Sequence, residues 1–180
     1  MIVRLLQQAY IRLNRSNPIK TKACTSGVLM GLSDISCQTI EKKHELDIGR
    51  FARMASWGLL VNGPAGHAWY HFLDKLVKVG GAKGIISKLI LDQAVFTPPF
   101  IACFFVWQQA LSGDGMREAF DTAKENLWPT LKVNWSFWSV AHLATFSVVP
   151  LEYRVLFVNV KNFVWGGFLS AVASGESKWH

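Results

Sequence analysis

Charge is what this 180-residue chain has least of. Only 17% of its residues are Asp, Glu, Lys or Arg while 51% are hydrophobic, a composition too apolar to cover a soluble domain of this size with polar surface. Cysteine is also scarce. Cys24, Cys37 and Cys103 are odd in number and widely spaced, and neither CxxC nor a Cys/His cluster occurs. That excludes a disulfide framework and a structural zinc site, and it reads as three reduced, buried packing residues in apolar segments. The chain has no GxSxG, no P-loop, no GxGxxG after a strand and no HExxH, so it is expected to be no enzyme and to carry no cofactor or metal. Gly80-Gly81 with Gly84 stands in a Lys-rich loop and reads as a linker rather than a phosphate cradle. Internal repeats and low-complexity tracts are absent. A secretory signal is not expected, because residues 1–22 hold no uninterrupted apolar core.

What is present points to a membrane. The formal net charge is +7, but Lys and Arg fall mostly between apolar runs and never form a dense basic block interleaved with aromatics. Anionic lipid headgroups explain them better than nucleic acid, and no nucleic-acid partner is expected. Four apolar regions run over 23–40, 51–72, 85–111 and 133–172. Each is long enough for a helix across a bilayer, and the last for one span plus a second, tilted or broken helix. Period-two alternation, which a barrel needs, is missing. The expectation is one membrane domain over 1–180, all-α, with about four transmembrane helices and no sheet.

Ahead of them, residues 2–15 place Ile2, Leu5, Leu6, Ala9, Tyr10 and Leu13 on one helical face, with Arg4, Arg12 and Arg15 elsewhere, and no acid occurs before Asp34. That is an amphipathic interfacial helix, of a composition also seen in mitochondrial targeting segments. Three places should kink or unwind the spans: Gly63-Pro64, Pro98-Pro99 and Pro150. The linkers over 41–50 and 75–84 are short, and 112–126 alternates acids and bases as a solvated surface helix does. The eight tryptophans fall mostly near span ends, as an interfacial belt would.

Read in order, Gly63-Pro64, His67 and Trp69-Tyr70, then Asp92-Gln93, then Val149-Pro150 and Arg154, form the series GPxxHxWY, DQ and VPxxxR. Together with Asp34, Gln38, Asp47, Arg50, Trp128-Pro129, Trp138 and Leu169-Ser170, this series resembles the Mpv-seventeen / peroxisomal-membrane-protein-twenty-two family over nearly the whole chain. The resemblance implies a small multi-spanning protein of the mitochondrial inner membrane or, alternatively, the peroxisomal membrane, associated with channel-like permeation of small solutes and with mitochondrial homeostasis. The chain departs from the family's usual Gly-Asp, Trp-Pro, Gln and Asn-Phe at Ser33-Asp34, Trp138-Ser139, His142 and Thr145-Phe146. If His142 and Thr145 line a path, they change its selectivity or its response to pH.

Ionisable and polar groups at membrane depth mark either a pathway or internal ion pairs. The candidates are Asp34, Arg53, His67, Lys88, Asp92, Gln93, His142 and Arg154, with Glu152 and Lys161 also set among apolar residues. Lys88 and Asp92 stand one turn apart. Arg154 is expected to be buried and to pair with Asp34 or Asp92, since an unpaired guanidinium at membrane depth is costly. His67 and His71 share a helix face with Asp74 one turn on, too few ligands for a metal centre.

Two functions follow. The first is a channel-like pore whose broken helices line a water-filled path. The second is a structural subunit, in a homo-oligomer or a membrane complex, with every polar group satisfied internally. A continuous polar cavity would favour the first, and a fully paired core the second.

Overall fold

A computed structural model of the chain describes residues 2–41, 45–113, 115–147 and 154–175. Its regular structure is helical throughout: α1 (Ile2–Ser16), α2 (Pro18–Ile40), α3 (Ile48–Trp57), α4 (Gly63–Leu76), α5 (Gly81–Leu91), α6 (Thr97–Ala110), α7 (Met116–Ser147) and α8 (Arg154–Ala173). The all-α expectation therefore holds for the described residues. Among the described residues, one continuous helix, Gly81–Ala110, is long and apolar enough to cross a membrane, and it matches the third apolar region. The separation drawn between a surface helix over 112–126 and a fourth apolar region is absent. A single helix of 32 residues, α7, runs through both with Pro129 inside it.

At Gly63-Pro64 and Pro98-Pro99, where a kink or unwinding is expected, the chain departs from α geometry but stays helical. α3 passes into α4, and α5 into α6, through single π turns over Gly58–Asn62 and Asp92–Phe96. The Gly63 N–H bonds the Gly58 carbonyl and the Thr97 N–H bonds the Asp92 carbonyl, each reaching back five residues. Proline follows at once in both places. In an α-helix its ring would press on the carbonyl four residues earlier, and it has no N–H to offer. Widening the preceding turn relieves that clash while the helix continues. Pro150 lies outside the described residues.

α2 is the axis of the bundle, packed against α8, the first π turn, α3 and α4, while α6 packs chiefly on α7. Two glycines permit the closest approach. A Cβ on Gly58 would lie 2.5 Å from the Ser26 carbonyl oxygen, and one on Gly63 would lie 2.5 Å from Ala23 Cα. Both obstacles are backbone, so neither can swing away. The hydrophobic core gathers Met30, Met54, Trp57, Ile101, Phe104, Phe105, Leu131 and Leu169. Trp57 belongs to this core and not to an interfacial belt, since it is 2% exposed and packs against Phe100, Phe104 and Trp107. The cysteines also depart from expectation: all three are free, but Cys24 and Cys103 face outward and only Cys37 is partly buried.

Candidate functional site

Polar groups inside the bundle form two zones of opposite character, arranged one after the other along α2. The first zone is a paired cluster. Asp34 and Arg50, 0% and 4% exposed, meet at 2.7 Å between Oδ1 and Nε. Arg50 also grips Glu41 with both arms of its guanidinium, Nη1 to Oε2 at 2.7 Å and Nη2 to Oε1 at 3.0 Å. This planar fork is the geometry in which Arg exceeds Lys.

Ser170 of α8 joins the two. Its hydroxyl donates to Asp34 Oδ1 and accepts from Arg50 Nε and Nη2. The other Asp34 oxygen accepts from Gln38 Nε2 at 2.7 Å. Gln38 in turn pairs with the Asp47 backbone through N–H and carbonyl at 2.7 and 3.1 Å, and the Asp47 carboxylate caps α3 by accepting the Arg50 N–H. The cluster ties the end of α2, the start of α3 and the end of α8 into one unit.

The second zone is hollow. A cavity of about 580 Å³ lies between the first half of α2, most of α8, the two π turns and the middle of α7, and the polar groups in its lining include Lys22, Asn62, His67, Asp92, Gln93, Asn134 and Lys161. The π turns supply three of these residues, Asn62, Asp92 and Gln93. Each is oriented by a bond. Asn62 Nδ2 donates to Ser26 Oγ at 2.7 Å. Asp92 accepts from the Trp69 indole N–H and from Gln93 Nε2, both at 2.9 Å, and Gln93 Oε1 accepts from Asn134 Nδ2 at 2.9 Å. The Trp135 indole N–H reaches the Gln93 main-chain carbonyl at 3.2 Å, which satisfies a backbone group inside the widened turn.

Among the described residues, two cations line this space. Lys22 Nζ lies 3.0 Å from His67 Nδ1. An ammonium only donates, so Nδ1 is the acceptor and the imidazole proton sits on Nε2. Lys161, 5% exposed, holds its ammonium over the rings of Trp138 and Phe157 at 5.4 and 5.6 Å, where the ring quadrupoles attract a cation.

The residues singled out by sequence are thus dispersed. His67, Asp92 and Gln93 line the cavity and Asp34 anchors the paired cluster. Arg53 lines a separate, smaller pocket. Lys88 leaves Asp92 for Asp74, 2.7 Å away on an exposed face. The side chains of His142 and Arg154 lie outside the described residues. The expected pairing of Arg154 with Asp34 or Asp92 therefore falls outside the described residues, while Asp34 itself is met by Arg50, Ser170 and Gln38. His67 and His71 touch edge to face at 4.5 Å, and no group of three or more His, Cys, Asp or Glu suited to a metal gathers among the described residues.

Sequence reasoning left Gln38, Glu41, Arg50 and Ser170 out of its candidates, as it did Lys22, Asn62 and Asn134. Arg50 stands three residues after Asp47, the spacing of a helix start. That signal places it on a helix but not against Asp34.

A family model described as the Mpv17 / PMP22 family matches residues 109–170. The chain is 34% identical over 168 residues to the mitochondrial inner membrane protein Mpv17 of Rattus norvegicus, covering 92% of this chain and 96% of that protein. It is 32% identical over 176 residues to peroxisomal membrane protein 2 of Bos taurus, covering 94% and 89%, and 36% identical over 160 residues to protein sym-1 of Neurospora crassa, covering 86% and 91%. No solved structure matches the chain. With relatives aligned over most of both partners, the chain belongs to the Mpv17 / PMP22 family, membrane proteins of mitochondria and peroxisomes.

Proposed function

We propose that this protein is a channel-like pore for small solutes or ions, seated in the mitochondrial inner membrane, with the peroxisomal membrane as the alternative. The observation that carries the reading is the cavity of about 580 Å³, with amide, carboxylate and ammonium groups set among its apolar lining residues. Inside a bilayer bundle, amide, carboxylate and ammonium groups are stable when they pair or when they face water. A cavity of this size is within the usual range of a small-molecule site, about 300–1,000 Å³. The four membrane-spanning elements and the interfacial α1 belong to this reading, and so does its non-catalytic nature.

In this reading the structure is a pore with one half closed. The cavity lining runs along α2 from Lys22 to Met30 and along α8 from Val158 to Leu169, and the paired cluster begins just beyond, at Asp34 and Ser170. Passage therefore requires movement at the end held by Arg50. Lys22 and Lys161 outnumber Asp92 among the described charged groups of the lining, which tilts the cavity towards anions.

The test is flux through full-length protein reconstituted into liposomes, with size-graded neutral and anionic solutes. Flux above that of empty liposomes is expected, reduced at least several-fold by Asn134→Leu, which puts an apolar group into the lining. Flux no greater than empty liposomes, from protein whose fold is verified by circular dichroism, would refute the pore. The second reading, a structural subunit in a homo-oligomer or membrane complex, draws on the Asp34–Arg50–Glu41 cluster, in which polar groups are satisfied internally.

A further inference from the structure

The second pocket lies where α6 and α8 end and α3 begins. It measures about 40 Å³, and its lining includes Arg50, Arg53, Gln108, Gln109, Ser112 and Ser174. At about 10–15 Å³ per water it holds roughly three waters, which is the space taken by the free oxygens of one phosphate group. Its position matters as much as its size, because the ends of long apolar helices lie at headgroup level in a bilayer.

The two arginines differ in what they have already met. Arg50 is committed to Asp34 and Glu41. Arg53, half-buried one turn later, is not. Its main-chain carbonyl accepts from Ser56 Oγ and Gln108 Nε2, while its guanidinium makes no ion pair or hydrogen bond with any described residue. Asp47 is spent on capping α3. A cation placed here to cap the carbonyl ends of α6 and α8 would show guanidinium bonds to those carbonyls, and none is present among the described residues. Among the described residues, the other polar groups of the lining are the Arg50 guanidinium, hydroxyls and amides. Ser174 currently returns its hydroxyl proton to the carbonyl of Ala171, a bond that a rotamer change releases.

We propose that Arg53 is the anchor of a phosphate-binding site at this end of the bundle, taking the phosphate of an anionic phospholipid headgroup or a free phosphate ion. The planar guanidinium fork matches two phosphate oxygens at once, and basic pockets between membrane helices at headgroup depth are suited to such groups. The proposal does not depend on the pore, since the pocket shares no lining residue with the large cavity.

The experiment uses full-length protein in phosphatidylcholine nanodiscs and follows thermal unfolding during titration with phosphatidylglycerol and, separately, inorganic phosphate. A ligand that binds only the folded state stabilises it by RT ln(1 + c/Kd), with c its free concentration, and so raises the midpoint as c rises above Kd. Wild type is expected to gain stability with phosphatidylglycerol. Arg53→Gln should weaken that response at least about tenfold in apparent affinity, and Arg53→Lys should retain part of it. Should Arg53→Gln fail to fold, Ser174→Asp sets a carboxylate beside Arg53 and should abolish the response without removing the arginine.

An Arg53-dependent response to phosphatidylglycerol alone identifies a headgroup, and one given equally by inorganic phosphate identifies the free ion. No response to either ligand in wild type overturns the site. So does a phosphatidylglycerol response that survives unchanged in Arg53→Gln or, where that variant does not fold, in Ser174→Asp.

Discussion

Replacing Arg50 by Met should cost more than neutralising Asp34, although the two side chains share one contact. Asp34 is completely buried, and Arg50 is the one cation within ion-pair distance of it among the described residues. Arg50→Met therefore strands an ionised carboxylate whose remaining partners are Ser170 and Gln38, and it also releases Glu41 from its two-armed contact. Removing one partner of a buried pair costs about 3–5 kcal/mol because the other charge is left unmatched. Asp34→Asn is gentler. It keeps the shape and one acceptor, and Arg50 still has Glu41 at 2.7 and 3.0 Å, so the loss should be about 1–3 kcal/mol, near that of one charged hydrogen bond. The double variant should be less unstable than the sum of the two, by about 1 kcal/mol or more, as expected of residues in contact. Denaturant unfolding of the purified proteins in a mild detergent, followed by tryptophan fluorescence, measures all three. If Arg50→Met proves no more destabilising than Asp34→Asn, or if the two effects add, the cluster is not the coupled unit described.

Three further outcomes test other parts of the structure. Gly58→Ala and Gly63→Ala should each destabilise by at least the roughly 1–3 kcal/mol of an overpacked core, whereas Gly66→Ala, with nothing within 4 Å of the added methyl, should be close to neutral in the same unfolding assay. Trp69→Phe removes the indole donor from Asp92 and should cost about 1.5–3 kcal/mol, the worth of a hydrogen bond to a charged group; a stability equal to wild type would detach Asp92 from this network. Lys161→Met keeps the length and the ring contacts while deleting the charge, so in liposomes it should lower the preference for anionic over neutral solutes of equal size, and an unchanged ratio would remove Lys161 from the selectivity of the pore.

Some of this was legible in the sequence because it depends on local pattern. The third apolar region coincides closely with Gly81–Ala110, since an apolar run of that length has one economical conformation in a bilayer. GPxxHxWY and DQ mark residues that do reach the cavity. The prolines were legible as disturbances but not as the disturbance they cause. Proline chemistry states that an α-helical turn cannot continue unchanged but not how it changes; at the first π turn, the packing of Gly58 and Gly63 against α2 holds the widened turn in place. Partners were the least legible. Lys88 is one turn from Asp92 in sequence, yet it crosses to Asp74 because Asp92 is turned inward by Trp69 and Gln93. Arg50 stands at the end of what reads as a charged linker, and Ser170 is a small polar residue near the end of the last helix. Nothing in the spacing of Asp34, Arg50 and Ser170 announces that three helix ends converge.

The proposed pore needs both a paired zone and a hollow zone in one small bundle. A polar path weakens a bundle, because its lining is satisfied by solvent and solute rather than by neighbouring helices. The loss must be offset where the helices meet most firmly. Here the backbone contacts at Gly58 and Gly63 hold the first π turn against α2, and the Arg50 cluster fixes the far ends of α2, α3 and α8. Asn62, Asp92 and Gln93 can then be offered to the cavity on widened turns without loss of the frame. The same arrangement makes the Arg50 end the part that must yield if solute is to pass. A substitution that loosens the cluster without unfolding the chain, such as Asp34→Asn, should therefore raise flux through the reconstituted protein while lowering its stability, whereas stability and flux falling together would place the cluster outside the path and confine it to support.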